Sequence, residues 1–292
     1  MFFVKAANYN TTYSVTVNGH THTTATSSSG TLSTVTIATN LRNALAGDSN
    51  LSGFTFTQNE YVINVTKNDG SDYTMSATDT RTATDISAIK GTVSAISDLP
   101  TKALHDFTVE VQGTASTDFD DFYVKFEAST GSGFAEGIWR ETVAPNIQYQ
   151  FDKSTMPHVL VRDVNNNFTF KQFDWSARVA GDATSAPNPS FVGSQVKNLN
   201  VFRNRLVFLA DENVILSAAD AYDRFFPETV QTVVDSDPID LTAGGQQVNF
   251  LESSLAFANT LLLFSKHGQF RLDTGTTTIG TVLSPKIGRA HV

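Results

Sequence analysis

Cysteine is absent from this 292-residue chain, which removes disulfides, thiol catalysis and Cys-ligated zinc or iron–sulfur sites together. Long apolar runs are missing too. Leu261-Leu262-Leu263-Phe264 falls far short of the ~20 residues that a membrane-crossing helix needs. Positive charge is scarce: 20 Lys+Arg stand against 29 Asp+Glu, a net charge of −9 with an isoelectric point near 5.0. No window is rich in Lys and Arg, so the sequence argues against a protein that grips nucleic acid by neutralising phosphates. An acidic surface that must let DNA pass without holding it stays compatible. Met1-Phe2-Phe3-Val4-Lys5 lacks the basic region, apolar stretch and cleavage site of a signal peptide. Without secretion the glycosylation patterns Asn10-Thr11-Thr12 and Asn167-Phe168-Thr169 carry no weight, and the lack of disulfides fits folding in a cytosol.

What is present describes a folded protein. Hydrophobic residues make up 40% and charged residues 17%, outside the range of disordered chains, and the length suits about two domains. Thr accounts for 20 of the first 100 residues and Phe for 22 of the 31 aromatics; both types favour a pleated surface. Tyr13-Ser14-Val15-Thr16-Val17 alternates, meets the hairpin signal Asn18-Gly19, and returns through His20-Thr21-His22-Thr23. Ile37, Leu41, Ala44 and Leu45 predict a helix closed by Gly47. Phe54–Phe56 and Tyr61–Val65 predict a strand pair closed by Asn68-Asp69-Gly70. Ile86, Ile89, Val93 and Ile96 hint at a second helix before Leu99-Pro100. Residues 1–100 therefore read as a small α+β module.

From residue 101 strand follows strand. Phe107/Val109/Val111 and Phe122/Val124/Phe126 alternate, then come Gly137–Thr142, Val159–Arg162 and Phe168–Phe173, the last two joined by the turn Asp163–Asn167. Ala186-Pro187-Asn188-Pro189-Ser190 breaks the run, so 101–190 reads as a β-rich domain. In the remainder, Asn204–Leu209, a polar turn and Val214–Leu216 recur 55 positions later as Asn259–Phe264, a polar turn and Gln269–Leu272. A repeat of that length built from short strands predicts blades of a β-propeller over 191–286. Two blades cannot close a ring by themselves, so on this reading the chain is incomplete. The expected fold class is mainly β: an α+β module, a β-rich domain and partial propeller blades.

Candidate chemistry is thin. Gly131-Ser132-Gly133 does not extend to GxGxxG, because position 136 is Glu, and no GxSxG elbow occurs. His20-x-His22 puts two imidazoles on one strand face, half of a metal site with no third ligand in sequence, and is expected on the solvent face of its hairpin. Asp163-x-Asn165-x-Asn167 imitates a calcium loop, but Phe168 and Asp174 stand at its sixth and twelfth positions, which predicts a plain turn. Asp118, Asp120 and Asp121, and likewise Asp235, Asp237 and Asp240, are carboxylate clusters that could in principle supply a glycosidase pair; solvated turns are expected. Trp139 and Trp175, with Arg140 and Arg178 nearby, could stack on sugars, and are expected to be core aromatics flanked by surface charge. The reading assigns no catalytic, cofactor-binding or metal-binding residue.

The central segment carries a resemblance. Trp139-Arg140-Glu141-Thr142, Phe151-Asp152-Lys153-Ser154-Thr155-Met156-Pro157-His158-Val159-Leu160-Val161-Arg162, and Trp175-Ser176-Ala177-Arg178-Val179-Ala180-Gly181-Asp182 follow in order. After them come Pro189–Gly193, Phe202–Leu206 and Asp235–Asp240, and at the start Phe3–Tyr13. This series resembles the tail tubular protein B family, the nozzle proteins of short-tailed phages, up to about Lys286. The resemblance implies a virion tail structural protein without enzymatic activity or cofactor, assembled in the host cytoplasm. It implies a ring, a hexamer, below the portal and tail adaptor protein, with tail fibres attached nearby and DNA passing through the channel without sequence-specific binding. The rival from another class is a virion-associated glycan-binding or glycan-hydrolysing tail protein. Family members run several hundred residues longer. Ile287-Gly288-Arg289-Ala290-His291-Val292 is what a common sequencing-adapter stretch yields on translation, so 287–292 is expected to be non-native and the frame cut short.

Overall fold

The computed structural model describes residues 1–113, 121–244, 248–273 and 286–289. These are mainly β, with one α-helix among the described residues. Two compact units separate, the first within Met1–Ala115 and Tyr123–Arg140, the second within Ser116–Phe122 and Glu141–Val292.

The first unit runs β1 (Phe2–Val4), β2 (Thr12–Val17), β3 (His20–Ala25), α1 (Thr34–Gly47), β4 (Phe54–Asn59), β5 (Val62–Lys67), β6 (Met75–Asp79) and β7 (Ile86–Ala88). They make a sheet ordered β4-β5-β1-β7 and another ordered β3-β2-β6. Asn18 and Gly19 turn β2 into β3 at φ of 49° and 86°, the paired left-handed geometry that matches the twist of a tight hairpin. Alternation then buries Tyr13, Val15 and Val17 on one side of β2. Ser33 starts α1 by accepting from the Thr36 N–H at 3.3 Å. Ile37, Ala38, Leu41 and Leu45 form the helix's buried stripe and pack with Phe2, Val4, Tyr13 and Ile63.

Two expectations are corrected here. Gly47 is the last helical residue and not the cap, which is Asp48, whose N–H reaches the Leu45 carbonyl at 3.3 Å. The second helix does not form. Ile86 pairs with Val4 in a sheet, Thr92–Val93 is a short strand, and only Ile96–Asp98 winds into a 3-10 turn. A helical stripe would bury all four apolar residues, yet Ile86 and Ile89 are 2% exposed and Ile96 is 50% exposed. The β-branched side chains satisfied a sheet edge first.

A five-stranded sheet completes the unit, built from β8 (Thr92–Val93), β9 (Lys102–Leu104), β10 (Thr108–Val111), β11 (Phe122–Ala128) and β12 (Phe134–Thr142) in the order β8-β10-β11-β12-β9. Val109, Val111, Val124 and Phe126 all point into its core, as their alternation requires.

The second unit opens with an isolated hairpin, β13 (His158–Arg162) and β14 (Phe168–Gln172). Two four-stranded antiparallel meanders follow. The first is β15 (Val196–Phe202), β16 (Arg205–Ala210), β17 (Asn213–Leu216) and β18 (Ile239–Thr242); the second is β19 (Leu251–Phe257), β20 (Thr260–Ser265), β21 (Gln269–Asp273) and β22 (Lys286–Arg289). Their registers repeat at the 55-residue offset. Asn200↔Val207 and Phe202↔Arg205 in the first become Leu255↔Leu262 and Phe257↔Thr260 in the second, and each sheet shifts register at its start, between Val196 and Asn198 and between Leu251 and Ser253. Strand β22 joins β21 through backbone pairing, which does not depend on side-chain identity.

Candidate functional site

Partners across an antiparallel ladder point to the same side, so the register assigns faces. One face of the first meander carries Phe202, Val207, Leu209, Val214 and Leu216. All are buried against Leu251, Leu261, Leu263, Phe270 and Leu272 of the second meander. Asn200 Nδ2 ties the two first strands together by donating to the Ser254 carbonyl at 3.2 Å. The opposite face of the first meander, with Phe208 and Ile215, packs on Trp175, Phe191 and Phe225. Rings there meet edge-on and stacked: Phe191 to Phe208 at 5.2 Å and 74°, Phe208 to Phe225 at 4.9 Å and 25°. The first meander is thus covered on both sides. Among the described residues the second is covered on one side only. Its other side presents Leu255, Phe257, Leu262 and Phe264, at positions equivalent to Asn200, Phe202, Val207 and Leu209; Leu255 is 55% and Phe257 67% exposed.

Arg205 locks the segment that leads into β18. Its guanidinium is buried and donates to the backbone carbonyls of Ser217 at 2.8 Å, Asp237 at 2.5 Å, and Asp235. Burial pushes its pKa below the usual arginine value, while the nearby Asp237 and Asp235 carboxylates push back. The acids of this cluster serve the backbone as well. Asp240 Oδ2 accepts from the Ser190 N–H at 2.7 Å and Asp237 Oδ2 from the Val234 N–H at 2.9 Å. These bonds shape turns; a glycosidase pair would instead face each other across a cleft.

The other sequence candidates fall out as follows. His20 and His22 lie on one face of β3, where a third group reaches them that the sequence reading did not supply: Asp48 Oδ2 lies 3.4 Å from His20 Nδ1 and 3.1 Å from His22 Nε2. Asp48 Oδ1 is held by the Asn50 N–H, and that bond first, then His22, keeps the carboxyl below the usual range. The arrangement is a polar clasp between hairpin and helix end, and among the described residues no group of three or more His, Asp or Glu is disposed to hold a metal ion. Asp163 folds its own turn, accepting from the Asn165 and Asn167 N–H groups at 2.8 Å. Gly131 and Gly133, both at φ 73°, turn β11 into β12.

Asp118 and Asp120 lie outside the described residues, and Asp121 immediately precedes β11. Trp139 donates to the Pro100 carbonyl at 2.8 Å and packs edge-on against Phe126 at 5.0 Å. Trp175 is 9% exposed, so both tryptophans are structural. Arg140 pairs with Glu127 at the surface at 2.6 Å. Arg178 corrects the expectation of surface charge: it is buried, stacks over Phe226 at 4.7 Å, and donates to the Gln148 carbonyl and to Asn188 Oδ1. A cleft of about 570 Å³ opens between Phe151, Met156, Phe191 and Leu199. Its one carboxylate, Asp152, is taken up by the N–H and hydroxyl of Ser154.

The sequence reading missed the exposed apolar residues of β13 and β14. Their alternation around the turn at 163–167 carried the signal, since it places Leu160 opposite Phe170 on one face.

Comparison with known proteins agrees with an architectural site. Residues 1–287 match the family described as bacteriophage nozzle protein. The chain is similar to tail tubular protein gp12 of Escherichia phage T7, 37% identical over 191 residues that make up 65% of this chain and 23% of that protein. It therefore spans less than a quarter of that relative's length.

Proposed function

The chain belongs to the bacteriophage nozzle protein family and is a structural protein of a phage tail; from that premise we propose that it forms part of the wall of a ring-shaped tail conduit through which DNA leaves. The reading has the chain work by assembly and not by catalysis. Its partners are further copies of itself in a ring, a hexamer in this reading, with the tail adaptor protein above, tail fibres at the junction, and DNA moving through unbound. Assembly takes place in the host cytoplasm.

The observation that carries the proposal is the uncovered face of the second meander. Phe202, Val207 and Leu209 are buried by the next sheet, and the equivalent Phe257, Leu262 and Phe264 have no such sheet over them among the described residues. Stacked four-stranded sheets with one open face are units of a partial β-propeller over 191–286. Net charge supports the conduit: at −9 the chain repels the DNA backbone, which favours sliding over adhesion.

Immunogold electron microscopy of the virus that encodes this chain tests the proposal, with antibodies raised against the chain. Label at the tail, with averaged images placing these sheets in a ring around a channel, is the expected result. Label confined to capsid or fibre tips overturns it.

A further inference from the structure

Hairpin β13–β14 forms a sheet of its own, and neither of its outer edges pairs with another strand among the described residues. Two strands alone are marginal in water, and this pair is apolar where it is most exposed. The register puts His158, Leu160 and Arg162 opposite Gln172, Phe170 and Phe168 on one face. Leu160 is 63% exposed, Phe168 62%, Phe170 70%, and Val164 at the turn 97%. The two phenylalanines alone leave roughly 250 Å² of ring in water. With Leu160 and Val164 added, the patch reaches the range of about 300–600 Å² that marks the largest patch on an ordinary monomer. His158 stacks on Phe170 at 5.2 Å and 17°, stiffening the stripe.

Charge indicates the occupant. The hairpin carries Arg162 and Lys171 against Asp163 alone, two positive charges to one negative. It is a cationic projection on a chain of net charge −9. The same unit also presents a surface of matching character. Val233 is 71% and Val234 43% exposed, and the run Gln231–Asp240 contains Asp235, Asp237 and Asp240 with no Lys or Arg. Arg205 anchors that run from below through the Asp235 and Asp237 carbonyls, so it is a fixed shelf.

We propose that the β13–β14 hairpin docks on a second copy of this chain, setting Leu160, Phe168 and Phe170 against Val233 and Val234 and bringing Arg162 toward Asp235. Two different patches meet, so each copy offers its hairpin to the next and its shelf to the previous one. Such a head-to-tail contact closes into a ring when its rotation permits. This inference rests on the ring reading above and names an interface within it.

The test places a photo-crosslinking benzoylphenylalanine at position 170 of the otherwise unaltered chain and follows oligomers by mass photometry. The expected result is an oligomer with a covalent chain-to-chain product whose mapped peptide falls within 231–240. Arg162→Glu alone and Asp235→Lys alone each lower its yield about tenfold, and the two together restore it. Restoration by the charge swap separates docking from misfolding. An oligomer without that cross-link, or with the link mapped elsewhere, overturns the hairpin interface and leaves the ring reading standing. Cross-linking only to an added adaptor or fibre protein also overturns it. A chain that stays monomeric at all concentrations overturns the interface and counts against the ring as well.

Discussion

Phe202 and Phe257 hold the same place on two consecutive sheets 55 residues apart, each at the end of its sheet's first strand, yet Phe202 is 4% exposed and Phe257 67%. One sits between two sheets and the other on a face left open among the described residues. Truncation should therefore have unequal consequences. Phe202→Ala is expected to cost about 3–5 kcal/mol, the range for a buried phenylalanine. Phe257→Ala should stay within about 0.5 kcal/mol, as for a surface site. Urea denaturation of the two variants decides; equal losses would mean that the face carrying Phe257 is covered in the isolated chain.

Arg205 donates to three main-chain carbonyls from a buried position. Arg205→Ala strands those acceptors, with a loss of about 3 kcal/mol expected. Lysine should recover only part of it, because a single ammonium cannot reproduce the planar fork. Limited proteolysis gives a second readout, with faster cleavage within 231–238 in both variants.

Asp79 is 6% exposed and gathers the loop after β6: Oδ1 accepts from the N–H groups of Arg81 at 2.9 Å, Thr82 at 2.7 Å and Ala83 at 3.1 Å, and Oδ2 from Asp85 at 2.8 Å. Burial raises its pKa, but the four donors outweigh that, and the net shift is downward. A carboxyl whose folded value lies below its unfolded value, ~3.9, adds stability that is complete above the unfolded value. That stability is lost as pH falls through the folded one. Asp79→Asn should lower stability at pH 7 by about 1–3 kcal/mol and flatten the acid limb, measured by urea denaturation between pH 2 and 7.

Two glycines separate steric from conformational need. A Cβ at Gly137 would lie 2.1 Å from the Glu127 carbonyl oxygen and 2.8 Å from the Ala128 Cα, whereas at Gly19 it would meet nothing within 4 Å. Gly137→Ala should therefore cost about 3 kcal/mol through displaced backbone. Gly19→Ala should cost only about 1 kcal/mol, the price of φ 86° for a residue with a side chain. Thermal unfolding of the two variants checks the order.

Local signals carried far. Asn18-Gly19, the alternation of β2, β10 and β11, the α1 stripe and the repeat beginning at Asn204 and Asn259 were all legible, because each is a pattern within a few residues or a simple recurrence of one. The ordered motifs from Trp139 to Asp240 also pointed to the right family. The Ile86–Ile96 stretch failed because its spacing suits a helix, while the strand edge of Val4, more than eighty residues earlier in the chain, offered its backbone a better partner.

Composition by itself determined that the chain is mainly strand, acidic, free of cysteine and without an apolar stretch able to span a bilayer as a helix. These properties follow from residue type and local period alone. Only the tertiary structure decided that Asp48 reaches both His20 and His22, that Arg178 is buried while Arg140 is not, that Phe202 is covered and Phe257 bare, and that the face shared by Leu160 and Phe170 is left open. The physical reason is common to all four: burial and pairing depend on what arrives from distant parts of the chain, and a residue's own neighbours in sequence do not carry that information.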